Sequence, residues 1–223
     1  MQLQALIFDF DGLMLDTETP EVEVWQGIYR EHGHELPVDE WAKTIGGYGI
    51  SVFDAATHLS QLTGLDASTL RTRYRRESDE IIQTSPVLPG VLDLLIEGRK
   101  RGLRRAVASS SSHAWVDPHL SRLGLIGYID HILCSEDVAP GRTKPNPDLF
   151  LLALDRLEVQ KEAAVVFEDS PNGVRAAKSA GIFVVAVPNP LTVRLGVNGA
   201  DLTVRSLAEV SLDELDGLLS AKK

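Results

Sequence analysis

The chain is nearly devoid of cysteine. Its one example, Cys134, sits in the apolar run His131-Ile132-Leu133-Cys134, so no internal disulfide can form and nothing indicates export to an oxidising compartment. That setting reads as a small core side chain rather than a nucleophile. Long apolar runs are missing too. No stretch approaches the roughly 20 residues of a membrane span, and Met1 leads into Leu3-Gln4-Ala5-Leu6-Ile7-Phe8-Asp9 without the basic and apolar regions of a signal peptide. The expectation is a cytoplasmic protein without membrane contact. Positive charge is in deficit, with 22 Lys and Arg against 32 Asp and Glu and a formal net charge of −10. Such a balance argues against non-specific nucleic-acid binding, which needs cations to displace counterions from the phosphate backbone. It leaves room for a small anionic ligand, because a few Lys and Arg in one cleft set the local field. Internal repeats and low-complexity tracts are also absent.

What is present is an ordinary globular composition, 43% hydrophobic and 24% charged over 223 residues, enough for one domain or for a core carrying a smaller insertion. From Val91 onward, short β-branched runs alternate with amphipathic stretches, the signature of a parallel sheet with crossover helices. Helices are expected over 91–101, 115–123, 147–157, 173–180 and 212–219, and strands over 105–108, 132–134, 164–167 and 183–187. Pro147 opens one helix, where its missing N–H is harmless, and Gly181 stops another. A first strand, Ala5 to Phe10, belongs to the same sheet by composition, yet the next strand begins only near Arg105. Between them Trp25, Ile28 and Tyr29, then Val52, Ala55, Ala56, Leu59 and Leu62, then Leu70, Tyr74 and Ile81 recur at helical spacing. The expected architecture is therefore α/β: a Rossmann-like parallel sheet core with a small helical-bundle cap inserted after the first strand. The core would comprise 1–16 and 87–223 and the cap 17–86. Hinges are expected at Leu15 to Thr19 and at Thr84 to Pro89, the second marked by Pro86 and Pro89.

Each unusual polar cluster follows an apolar strand, and ligands of open parallel sheets bind at the carboxyl ends of strands. The clusters are Asp9 and Asp11, Ser109 to Ser112, Lys144, and Glu168-Asp169. Taken singly, each has a plain structural reading. Asp9 and Asp11 could be turn and capping acids, Glu168-Asp169 could favour the N-terminus of a helix capped by Ser170 or Asn172, Lys144 could be a solvated loop lysine, and the serines a flexible turn. Their coincidence at successive strand ends follows from none of those readings. Carboxylates, a lysine and hydroxyls together suit a metal and a phosphate.

In order along the chain, Phe8-Asp9-Phe10-Asp11-Gly12-Leu13, Ala108-Ser109-Ser110, Lys144-Pro145-Asn146-Pro147 and Phe167-Glu168-Asp169-Ser170-Pro171-Asn172-Gly173 resemble the four motifs of the haloacid dehalogenase-like hydrolase superfamily. Asp16-Thr17-Glu18 and Leu88-Pro89-Gly90 resemble its branch of β-phosphoglucomutase and small sugar-phosphate phosphatases. The resemblance implies a Mg2+-dependent phosphatase acting on a small phosphorylated metabolite. Asp9 would be the nucleophile, forming an aspartyl-phosphate, and Asp11 the acid and base. Asp9, the Asp11 main-chain carbonyl, Glu168 and Asp169 would hold the metal, while Ser109, the Ser110 amide and Lys144 would hold the phosphoryl oxygens. Two departures weigh against a phosphosugar mutase. Thr19-Pro20-Glu21 stands where β-phosphoglucomutase has a proton-transferring histidine, and Ile45-Gly46-Gly47-Tyr48-Gly49 lacks the arginine that grips a second phosphate. The mutase remains the runner-up, and from another class a slow-turnover phospho-acceptor or metabolite-binding regulator, which the presence of Asp11 disfavours. Arg71, Arg73, Arg75 and Arg76 read as a solvated helix face from which one could turn toward the site. His113 could touch phosphate or simply begin a helix, and Arg99-Lys100-Arg101 complements a helix C-terminus.

Overall fold

The computed structural model describes residues 2–44 and 53–221, the side chain of Arg194 apart. The segment Ile45 to Gly49 and Val52 therefore lie outside the described residues. Six parallel strands, β1 (Ala5–Phe8), β2 (Arg104–Ala108), β3 (His131–Leu133), β4 (Ala164–Glu168), β5 (Phe183–Ala186) and β6 (Leu202–Thr203), form one sheet in the order β3-β2-β1-β4-β5-β6. This is the expected Rossmann-like α/β sheet. All residues of β1 and β4 are buried, as continuous apolar strands demand when helices cover both sheet faces.

On one face Phe8 stacks on Phe167 at 4.8 Å, covered by apolar side chains of α5 (Val91–Lys100), α6 (His113–Arg122) and α10 (Leu212–Ala221). On the other, Ala5, Ile7, Val166 and Val184 meet α7 (Asp148–Leu157) and α8 (Pro171–Ser179). Each fully buried Phe or Ile in these layers contributes about 1.5–3 kcal/mol relative to exposure. Glu168 is the last residue of β4 rather than the first beyond it, and α8 begins at Pro171, two residues before the expected Gly173. The short β6 and the single-turn α9 (Thr192–Leu195) had no periodic signal, because neither is long enough to show a period.

Between β1 and β2 the described residues form α1 (Glu18–Glu31), α2 (Val38–Ala42), α3 (Ala55–Thr63) and α4 (Ala67–Ile82). Trp25, Ile28, Tyr29, Trp41, Leu59 and Leu70 gather into an apolar cluster of their own, joined by Leu191 from the sheet side. Trp25 stacks on Tyr74 at 4.5 Å. Two expected core positions turn out otherwise. Leu62 is 47% exposed because α3 packs through Ala55, Ala56 and Leu59 in its first turns. Ile81 is 42% exposed while Ile82 is buried, because the last turn of α4 leaves the helical cluster for the main core. The chain enters and leaves this region side by side: Leu15 pairs with Val87, and Leu88 N–H donates to Met14 O at 2.9 Å. Among the described residues no helix is long and apolar enough to cross a membrane.

Candidate active site

The carboxyl ends of the central strands bring the predicted groups together. Asp9 continues the β1 ladder by donating its N–H to Phe167 O at 3.0 Å. The chain then turns at Gly12, whose φ of 75° suits glycine; a Cβ there would lie 2.4 Å from Asp169 Oδ2. Lys144, 3% exposed, ion-pairs with Asp9 Oδ1 and approaches Glu168 Oε1 at 2.6 Å. Beyond this ion pair, Oε1 has no hydrogen-bond donor. Glu168 Oε2, in contrast, accepts from the Asp169 and Ser170 amides and from Ser170 Oγ at 3.1–3.2 Å.

Asp9, Glu168 and Asp169 each offer a carboxylate oxygen within 4.8 Å of the others, and all are buried. One lysine lies among three acids, and the imbalance shows in Asp9 and Asp169. Burial pushes the Asp9 carboxyl up to about 8, against the pull of Lys144. Burial, with Glu18 and Asp9 as neighbours, raises Asp169 well above the carboxylate range. Burial alone would lower the Lys144 ammonium, but Asp9 and Glu168 outweigh it and keep it charged. Such a cluster is short of positive charge. An all-oxygen donor set, with Asn172 Oδ1 buried without a hydrogen-bond partner, fits a hard divalent cation better than zinc or copper.

Asp11 points elsewhere. Its Oδ1 accepts from Trp115 Nε1 at 2.8 Å, and its Oδ2 from Ser111 Oγ at 2.7 Å and Ser109 Oγ at 3.2 Å. Ser109 is buried and also accepts the Ser111 amide at 3.0 Å. Ser110 Oγ is buried without a hydrogen-bond partner. All seven residues singled out in the motifs, Asp9, Asp11, Ser109, Ser110, Lys144, Glu168 and Asp169, thus lie at one edge of the sheet.

Several site residues were not anticipated. Asn189, beyond β5, donates to Asp169 Oδ2 at 2.9 Å and to Glu18 Oε2 at 2.5 Å. The rule of polar groups after strands, applied to one more strand, would have found it. Glu18 is 7% exposed, and burial raises it well above its ordinary value. Glu21 is pushed up to about 7 by burial, against a hydrogen bond from Tyr74, with Asp11 and Asp79 as charged neighbours. Trp115 had read only as the start of a helix. The arginines of α4 are engaged away from the cluster: Arg71 with Asp54, Arg73 with Glu31 and Glu77, Arg76 with Glu77, while Arg75 is exposed. His113 lies between Asp117 at 3.2 Å and Asp137 at 2.8 Å. Burial opposes its charge, but those two carboxylates outweigh it and raise its pKa. Arg101 reaches Glu97 and Asp213, tying α5 to α10.

A family model described as haloacid dehalogenase-like hydrolase matches residues 6–187. YhcW of Bacillus subtilis, provisionally named a phosphatase, is 40% identical over 213 residues, 94% of either chain. A phosphorylated carbohydrates phosphatase of Thermotoga maritima is 31% identical over 183 residues, 81% of this chain and 82% of its own. Among solved structures, a Thermotoga maritima protein provisionally named β-phosphoglucomutase superposes with a TM-score of 0.75 at 28% identity, over 96% of this chain and 99% of its own.

Proposed function

The chain belongs to the haloacid dehalogenase-like hydrolase family as a phosphatase, and from that premise we propose that it hydrolyses small phosphomonoesters of sugars, polyols or nucleosides through an aspartyl-phosphate on Asp9, with Mg2+ as cofactor. The observation that carries this reading is the buried group Asp9, Glu168 and Asp169 around a single Lys144. Asp9, the Asp11 carbonyl, Glu168 and Asp169 are the residues that would hold magnesium, which when bound offsets the repulsion between carboxylate and phosphate dianion.

Asp9 attacks phosphorus as the bond to the leaving oxygen breaks, and Asp11 gives that oxygen a proton. In the second step Asp11 takes a proton from water as the water oxygen bonds to phosphorus and releases Asp9. Ser109, the Ser110 amide and Lys144 hold the phosphoryl oxygens, and the unpartnered Ser110 Oγ supports a polar ligand beside them. Residues 17–86 act as a cap over a core of 1–16 and 87–223, closing to exclude bulk water.

The acid-rich flank supports a substrate with one phosphate. Glu18 and Glu21 both sit within the field of Asp11, the segment 45–52 carries no charge in its sequence, and the α4 arginines with ion pairs spend them on neighbouring acids. A second anionic group would find acids there rather than cations. The likeness to a β-phosphoglucomutase-type structure favours a second reading, transfer of the phosphoryl group back to bound product.

The test follows free phosphate and isomer formation from sugar monophosphates, with and without a bisphosphate. Steady phosphate release that needs Mg2+, vanishes on chelation and falls roughly 10⁴-fold in Asp9→Asn supports hydrolysis. Isomerisation without phosphate release would overturn it, and so would an active Asp9→Asn.

A further inference from the structure

We propose that Trp115 is the positioning residue for Asp11, fixing which carboxylate oxygen of the acid and base faces the reaction; this rests on the role given to Asp11 above. Every hydrogen bond that the structure gives the Asp11 carboxylate comes from the β2 side: the Trp115 indole to Oδ1, and the Ser109 and Ser111 hydroxyls to Oδ2. These donors differ in kind. An indole N–H only donates, so Oδ1 is committed to accepting. A hydroxyl both donates and accepts, so the partners of Oδ2 are adaptable where that of Oδ1 is fixed. The indole therefore sets the orientation of the whole carboxylate, with Oδ2 turned to the side of Ser109, which is also the side assigned to the phosphoryl group.

The indole is braced from behind. Trp115, His119 and Arg122 recur at i, i+4 and i+7 on one face of α6. The Trp115 ring meets His119 edge-on at 4.5 Å, and His119, 2% exposed, also lies against Phe10 at 6.2 Å. Arg122 approaches His119 Nδ1 at 3.2 Å and donates to the carbonyls of Ile82 and Ser85 at 3.0–3.1 Å. The side chain that aims Asp11 thus stands on a column whose far end is tied to the exit of the helical region. Packing alone would not require the indole nitrogen to face a carboxylate.

The experiment uses leaving groups as the readout. An alkyl phosphate releases a poor leaving group and needs the acid; 4-nitrophenyl phosphate releases a good one and needs it little. With Mg2+ present, kcat/KM is measured on both substrates for the wild type, Asp11→Asn and Trp115→Phe, which keeps an aromatic ring but lacks the N–H. The ratio of the two rates is internal to each variant, so partial loss of folded protein does not change it. Expected is a fall in the alkyl-to-aryl ratio of roughly 10²-fold in Asp11→Asn and roughly tenfold in Trp115→Phe. If Asp11→Asn lowers the ratio and Trp115→Phe lowers both rates equally, Trp115 merely packs and the inference is overturned alone. If Asp11→Asn leaves the ratio unchanged, the acid role of Asp11 falls and the inference falls with it.

Discussion

The acids at the sheet edge and the arginine-paired acids of the helical region, Glu31 and Asp54, live in opposite settings. Asp9, Glu168 and Asp169 are at most 6% exposed, and the first two share one lysine. Glu31 and Asp54 each hold an arginine at 2.6 Å, with side chains 54% and 44% exposed. Water screens the second group, and such pairs contribute little to stability. The first group is held together against its own repulsion by the strands that carry it, and a fold accepts that cost where it needs chemistry. Glycine makes the same contrast. Gly173 leaves no room, since a Cβ would fall 1.8 Å from the Glu168 carboxyl, whereas Gly27 in α1 has nothing within 4 Å.

The sharpest way to break this comparison is to add one methyl group in each region. Gly173→Ala should cost about 3 kcal/mol and abolish turnover, because Glu168 must leave its amide donors. Gly27→Ala should gain about 0.5–1 kcal/mol, since alanine suits a helix interior better. Urea unfolding and phosphate release measure both. Equal effects at the two sites would sink the contrast.

Next in size is the pH dependence of Glu21, which lies on α1 and is only partly exposed. Its carboxyl has an ordinary value of 4.5 and is pushed up to about 7 by burial. In that window the folded state holds more protons than the unfolded one, so Glu21 makes stability fall as pH rises from 4.5 to 7. Glu21→Gln should therefore match the wild type at pH 4 and exceed it at pH 8 by on the order of 1–2 kcal/mol. A stability difference that does not grow across this window would show that Glu21 behaves like its exposed neighbours. The smallest effect is expected for Arg71→Gln, whose ion pair with Asp54 is exposed. Water screens that pair, so neither stability nor turnover should change measurably.

Much of the site was legible because the sheet repeats one device, an apolar strand followed by polar residues, at β1, β2 and β4. Local sequence carries that device, so Asp9, Ser109 and Glu168 could be named before any geometry. Trp115, Glu18, Glu21 and Asn189 were illegible as site residues because their roles arise from contacts across the fold. Trp115 reaches Asp11 over a separation of 104 residues, and Asn189 reaches Glu18 over 171. The helical region was legible as helices through its apolar spacing, but its outward faces were not. Ile81 and Ile82 are equally apolar in sequence, and only the turn of α4 toward the main core decides between them.

Cys134, fully buried, has its thiol pushed up to about 12, chiefly by burial. So little of it exists as thiolate that it will not compete for a thiol-reactive dye. Cysteines placed at Gln61 on α3 and Ser121 on α6, both exposed, would be the only reactive thiols in the chain. The distance between two fluorophores can then be followed during turnover, in an otherwise natural protein, without first removing a native cysteine.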